Sequence, residues 1–132
     1  MKSLVVDDDF VPRMVLQRIL QAHGLCDAAT NAAEALAAVR HAIEEKTPYS
    51  LICLDIEMPD DSGHHVLQEI RRLEAESLVP SELIAKVLMT SSHSEAEQVT
   101  AAYDNGCDGF LVKPIELQRL MKALRELLLI VG

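Results

Sequence analysis

Leu51-Ile52-Cys53-Leu54-Asp55-Ile56-Glu57-Met58-Pro59 is an unbroken apolar run that ends on an acid and is closed by a proline. Consecutive apolar residues leave no polar face, so Leu51 to Leu54 predicts a strand covered on both sides, as in a parallel sheet. Similar runs lie on either side. Leu4-Val5-Val6 opens the chain, Ile84 to Met89 comes later, Phe110-Leu111-Val112 is the last, and Leu25 to Ala29 is a weaker candidate. Between them, apolar residues recur at helical spacing. The stripes are Val11, Val15, Leu16, Ile19 and Leu20; Leu36, Val39 and Ile43; and Val66, Leu67, Ile70 and Leu73. Ala96, Val99 and Tyr103 follow, then Leu117, Leu120, Met121, Leu124 and Leu128. Each stripe predicts an amphipathic helix. Pro12 suits a first helical turn, and Gly24 and Gly106 stand where C-terminal caps are wanted. Five strand–helix repeats, with every crossover long enough to hold a helix, predict an α/β fold. The expected architecture is a five-stranded parallel sheet, doubly wound, with helices on both faces.

The 132 residues fit one domain, expected to span residues 1–132 and to be used up by the five repeats, with no output domain. Apolar residues make up 49% and charged residues 25%, a globular composition rather than a disordered one. The 21 acidic residues outnumber 12 Lys and Arg, for a net charge of -9, which opposes direct binding to nucleic acid or to an anionic membrane. With no Trp there is little to stack on bases. No apolar stretch is long enough to span a bilayer, and Asp7 interrupts the first run too early for a signal peptide. Cys26, Cys53 and Cys107 are scattered and odd in number, which reads as buried reduced thiols and a cytoplasmic address.

In an open α/β sheet ligands bind beyond the carboxyl ends of the strands. The first strand ends in Asp7-Asp8-Asp9, the third in Asp55, the fourth in Thr90-Ser91-Ser92 and the fifth in Lys113-Pro114. Any one of these alone reads as a cap, a turn or a surface lysine; together they put carboxylates, a hydroxyl and an amine on one rim. Crowded carboxylates ionise together only beside a cation, and a few oxygen ligands with room for water suit Mg²⁺. A metal, a Lys, a hydroxyl and a nucleophilic carboxylate are equipment for phosphoryl transfer. A Ca²⁺ loop starting at Asp55 fails, because Pro59 interrupts it and Val66 stands where its last ligand belongs. His64 and His65 face different ways on a helix and do not make a shared metal site.

Leu4-Val5-Val6-Asp7-Asp8, Leu54 to Pro59 with the loop Asp60-Asp61-Ser62-Gly63, and Gly106 to Pro114 together resemble the response-regulator receiver domain of two-component signalling. The resemblance covers essentially the whole chain. It implies the flavodoxin-like strand order 2-1-3-4-5. It also implies that Asp55 is the phosphoacceptor, served by a histidine kinase or a histidine phosphotransfer protein. Mg²⁺ (or Mn²⁺) would be held by Asp8, Asp55 and the backbone carbonyl of Glu57, with Asp7 completing the acidic pair through water. Lys113 matches the phosphate-binding lysine, Lys113-Pro114 a cis bond, Gly63 the loop glycine and Phe110 the switch aromatic. Counting back from Gly106 and Lys113 without gaps makes Ser91 the switch hydroxyl; Thr90 is the fallback, and strand alternation lets only one of them face the site. Glu57 and His93 match positions that tune phosphate lifetime. Switching is expected to alter the surface of the fourth helix, fifth strand and fifth helix for an unidentified protein target, and the same surface could hold a homodimer. Catalysis beyond self-phosphorylation and self-dephosphorylation is not expected.

The enzymatic alternative is a haloacid-dehalogenase-like phosphatase with Asp55 as nucleophile and Glu57 as second acid. That family places its nucleophile after the first strand and leaves Asp7 and Asp8 without a role. Asp9, Asp60 and Asp61 read as loop charge. Leu127 to Val131 is apolar all round, and reads either as a last turn tucked against the sheet or as an exposed patch.

Overall fold

The apolar runs form strands β1 (Ser3–Val6), β2 (Cys26–Ala29), β3 (Leu51–Asp55), β4 (Lys86–Ser91) and β5 (Gly109–Val112). The computed structural model describes residues 1–131; Gly132, the last residue of the expected domain, lies outside them. All strand pairs are parallel, in the order β2-β1-β3-β4-β5, as the resemblance implied. The crossovers carry α1 (Phe10–Gln21), α2 (Ala32–Glu44), α3 (Gly63–Glu76) and α4 (Ala96–Asp104), and α5 (Leu117–Glu126) follows β5.

Alternation along the strands divides the core in two. Val5, Cys53 and Leu88 point to one face, where Leu16 and Leu20 of α1 and Leu120 and Leu124 of α5 cover them. Val6, Leu54 and Met89 point to the other, under Ala35 and Val39 of α2, Val66 and Ile70 of α3 and Ala102 of α4. All three cysteines are buried and unpaired, and burial pushes the Cys107 thiol up to about 11. Among the described residues no helix is long and apolar enough to cross a membrane.

The structure corrects several local expectations. β4 begins at Lys86, because Ile84 closes a short 3-10 turn and is partly exposed. Val11 and Val15 are exposed, so α1 packs only through the inner edge of its stripe. The buried residue of α4 is Ala102; its neighbour Tyr103 is turned to solvent. Gly106 does end α4 with a positive φ; Gly24, shortly after α1, also has a positive φ and in addition is needed for close approach, since a Cβ there would lie 1.8 Å from the Met1 carbonyl oxygen. The terminal apolar run divides. Leu127, Leu129 and Ile130 pack against the α1–α5 face of the core, while Leu128 and Val131 are exposed.

Candidate functional site

Because every strand is parallel, their carboxyl ends meet at one rim, and Asp7, Asp55, Ser91 and Lys113 arrive there on β1, β3, β4 and β5 or one residue beyond. Asp7 and Asp55 are buried, at 1% and 2% exposure. Lys113 lies between them, its Nζ donating to Asp55 Oδ2 at 2.9 Å and standing 2.8 Å from Asp7 Oδ2. The backbone fixes the other carboxylate oxygens: Asp9 N–H donates to Asp7 Oδ1 at 2.9 Å and Glu57 N–H to Asp55 Oδ1 at 3.1 Å. Burial pushes the Asp55 carboxyl up to about 7, against the pull of the Lys113 ammonium. Burial acts to lower the pKa of Lys113, but its bonds to Asp7 and Asp55 outweigh that and leave it raised.

Asp8 is exposed beside this buried pair. Asp7, Asp8 and Asp55 each offer a carboxylate oxygen, and the three lie within 4.8 Å of one another. With all three ionised, the single ammonium of Lys113 leaves two negative charges unbalanced. Asp7 Oδ2 is buried and accepts no hydrogen bond, its close ion pair with Lys113 apart. An all-oxygen donor set with that charge deficit and one ligand open to water fits a Mg²⁺-like cation.

The loop after β3 is held down by its own sequence. Gly63 N–H donates to the Ile56 carbonyl at 2.8 Å. A Cβ at Gly63 would lie 2.4 Å from the Asp55 carbonyl oxygen, so only glycine lets α3 start this close to β3. Ser62 caps α3 by accepting from His64 N–H. Across the rim, the Ser91 hydroxyl donates to Glu57 Oε1 at 2.6 Å and accepts from His93 N–H at 2.9 Å. Thr90 is the register partner of Asp55 and points to the opposite face of the sheet from Ser91. Thr90 thus shares the face of Asp55, and it is the Ser91 hydroxyl, on the other face, that bonds the β3–α3 loop through Glu57. Phe110 is half-buried against the core face formed by α2, α3 and α4, and the Lys113-Pro114 bond is cis. His93 Nε2 lies 3.8 Å from Glu57 Oε1.

Some engagements had no signal in the sequence. Asp60, read as loop charge, accepts from the N–H groups of Ala32 and Ala33 and ties the loop to the start of α2. Asp61 pairs with His65, while His64 meets Gln98, so the two histidines do diverge. The Arg13 guanidinium donates to the Asp7 carbonyl. Asp61 and His65 are four residues apart, a local spacing, but the other contacts join residues from different elements, and no local pattern announces them.

The family model of the response regulator receiver domain matches residues 3–125. The chemotaxis protein CheY of Bacillus subtilis (strain 168) is 30% identical over 129 residues, covering 96% of this chain and 97% of its own length. The hybrid signal transduction histidine kinase L of Dictyostelium discoideum is also 30% identical, over 126 residues that make up 95% of this chain but 7% of the kinase. Among solved structures, the receiver domain of the histidine kinase CKI1 from Arabidopsis thaliana, complexed with Mg²⁺ and BeF₃⁻, superposes with a TM-score of 0.82 at 27% identity. That match covers 96% of this chain and 88% of the other. The family match gives the haloacid-dehalogenase-like alternative no support.

Proposed function

The chain belongs to the response regulator receiver domain family, and from that premise we propose that Asp55 is its phosphoacceptor. The observation that carries the reading is the Lys113 ammonium held between the buried carboxylates of Asp7 and Asp55. An Asp55 carboxylate oxygen attacks the phosphorus of a phosphohistidine on a kinase or phosphotransfer protein. The P–N bond breaks, the imidazole leaves, and an acyl phosphate remains on Asp55. Mg²⁺, held by Asp8, Asp55 and the Glu57 carbonyl, with Asp7 reached through water, would supply charge neutralisation to the phosphoryl oxygens. Lys113 exchanges its bond to the carboxylate for one to a phosphoryl oxygen. Ser91 donates its hydroxyl to another, and Phe110 completes its burial as the segment after β4 moves. The surface of α4, β5 and α5 then changes its preference for a protein target, and could also pair two copies of the chain. Catalysis is confined to gain and loss of the protein's own phosphoryl group, with Glu57 and His93 tuning its lifetime. A cytoplasmic setting belongs to the same proposal, since three buried free thiols suit a reducing compartment.

Incubation with acetyl phosphate or phosphoramidate and Mg²⁺, read by intact mass, tests this. One Mg²⁺-dependent phosphoryl adduct is expected on the wild type and none on Asp55→Asn. An adduct that persists in Asp55→Asn, or that needs no Mg²⁺, would refute the assignment.

A further inference from the structure

We propose that the Glu57 carboxylate is a latch on the Ser91 hydroxyl, competing for its proton with the phosphoryl group; this rests on the phosphoacceptor reading of Asp55. A serine hydroxyl has one proton to donate. Here that proton is committed, because Ser91 Oγ donates to Glu57 Oε1 at 2.6 Å, a length typical of a charge-assisted bond. The same oxygen accepts from His93 N–H at 2.9 Å, so the rotor is fixed on both sides. Ser91 is fully buried, and its hydroxyl cannot turn to water if Glu57 lets go without a replacement acceptor.

The two partners differ in what release costs them. The Glu57 side chain is 43% exposed, so its carboxylate can swing into solvent, where hydration replaces the lost bond. Its backbone does not move with it, because Glu57 N–H is bonded to Asp55 Oδ1 and the residue bridges to Ser62 across the loop. Glu57 therefore stands two residues from the acceptor with its main chain tied to Asp55 and its side chain tied to Ser91. A phosphoryl group on Asp55 acts on this arrangement twice. Its oxygens offer the Ser91 proton a second acceptor, and its charge repels the Glu57 carboxylate toward water. Until both happen the hydroxyl is withheld, and the latch opposes switching. Glu57 is thus a positioning residue that acts through Ser91, in addition to the backbone role proposed for its carbonyl.

Beryllofluoride, the phosphoryl mimic bound in the CKI1 receiver structure, provides the probe. Its affinity is measured at saturating Mg²⁺ in a cycle of wild type, Glu57→Ala, Ser91→Ala and the double variant, with Glu57→Gln as the conservative control. Removing the latch is expected to tighten beryllofluoride roughly 2- to 10-fold, the range of one net hydrogen bond. Glu57→Gln, which keeps an acceptor, gains less. In the Ser91→Ala background the gain disappears, because no hydroxyl is left to withhold. An equal gain with and without the hydroxyl means plain charge repulsion and overturns the latch. Equal affinities of wild type and Glu57→Ala overturn it too, with phosphoacceptance left standing. Failure of the wild type itself to bind beryllofluoride overturns the phosphoacceptor reading and the latch together.

Discussion

Asp7 and Asp55 share one ammonium, and the electrostatics of the rim follow from that ratio. The Asp55 carboxyl, at about 7, sits above its ordinary value of 3.8 because burial outweighs the attraction of Lys113. Between those values the folded protein holds a proton that the unfolded chain has released. The stability contributed by that proton is complete below about pH 4 and is lost as pH rises through about 7. Lys113→Met sharpens the effect. With no cation between two buried carboxylates, the variant is expected to lose roughly 3–5 kcal/mol at pH 8. Far less is lost at pH 5, where protonation relieves the pair. Urea unfolding at the two pH values checks this, and equal losses at both would disprove it. At this scale the apolar period set Asp55, Asp8 and Lys113 at or just beyond strand ends, and the roles proposed for them came from the family resemblance. Between the adjacent hydroxyls, ungapped counting favoured Ser91 with Thr90 as the fallback, and in the structure it is Ser91 that bonds Glu57. That contact depends on the path of the β3–α3 loop, which has no periodicity to read.

Four helices end the same way. At α2, α3, α4 and α5 the chain closes with paired bonds of the Schellman type, as in Val79 N–H to the Glu74 carbonyl and Leu78 N–H to the Ala75 carbonyl. The residue after the cap is Lys46, Leu78, Gly106 or Leu128, each with positive φ. Only Gly106 advertises this turn in the sequence. The two leucines adopt φ 55° and 60° and are 85% and 90% exposed, so backbone strain there is offset by little burial. Leu78→Gly is therefore expected to stabilise the fold by about 1 kcal/mol, the cost of a side chain in the left-handed region. Leu128→Gly moves in the same direction. Denaturant melts with unchanged slope and a higher midpoint would bear this out; a lower midpoint would mean that the exposed leucine packs in the folded state. The helices themselves were legible from their stripes. Their true faces were less so: Ala102 rather than Tyr103 packs against the sheet, since a small residue lets α4 approach where a tyrosine does not.

Across the whole molecule, the net charge of -9 is not evenly spent. Part of it is drawn to one rim, where three carboxylates converge and a single lysine pairs with two of them, so a divalent cation should bind the folded state and not the unfolded chain. Mg²⁺ at a hundred times its dissociation constant would add about 2.7 kcal/mol by mass action. Asp8→Asn, which alters an exposed side chain, should abolish that gain while leaving the metal-free stability nearly unchanged. Thermal unfolding with Mg²⁺ and with NaCl at matched ionic strength distinguishes site binding from screening; identical shifts in the two salts would exclude the site. The sequence by itself determined the βα alternation and the set of polar residues delivered to one edge, because apolar period and strand ends are local properties of the chain. The strand order was carried by family resemblance. Only the tertiary structure decided that Lys113 bridges Asp7 and Asp55, that Asp60 anchors the loop to α2, and that Glu57 holds Ser91. Those bonds join residues far apart in the chain, and their geometry exists only once the parallel strands have been laid side by side.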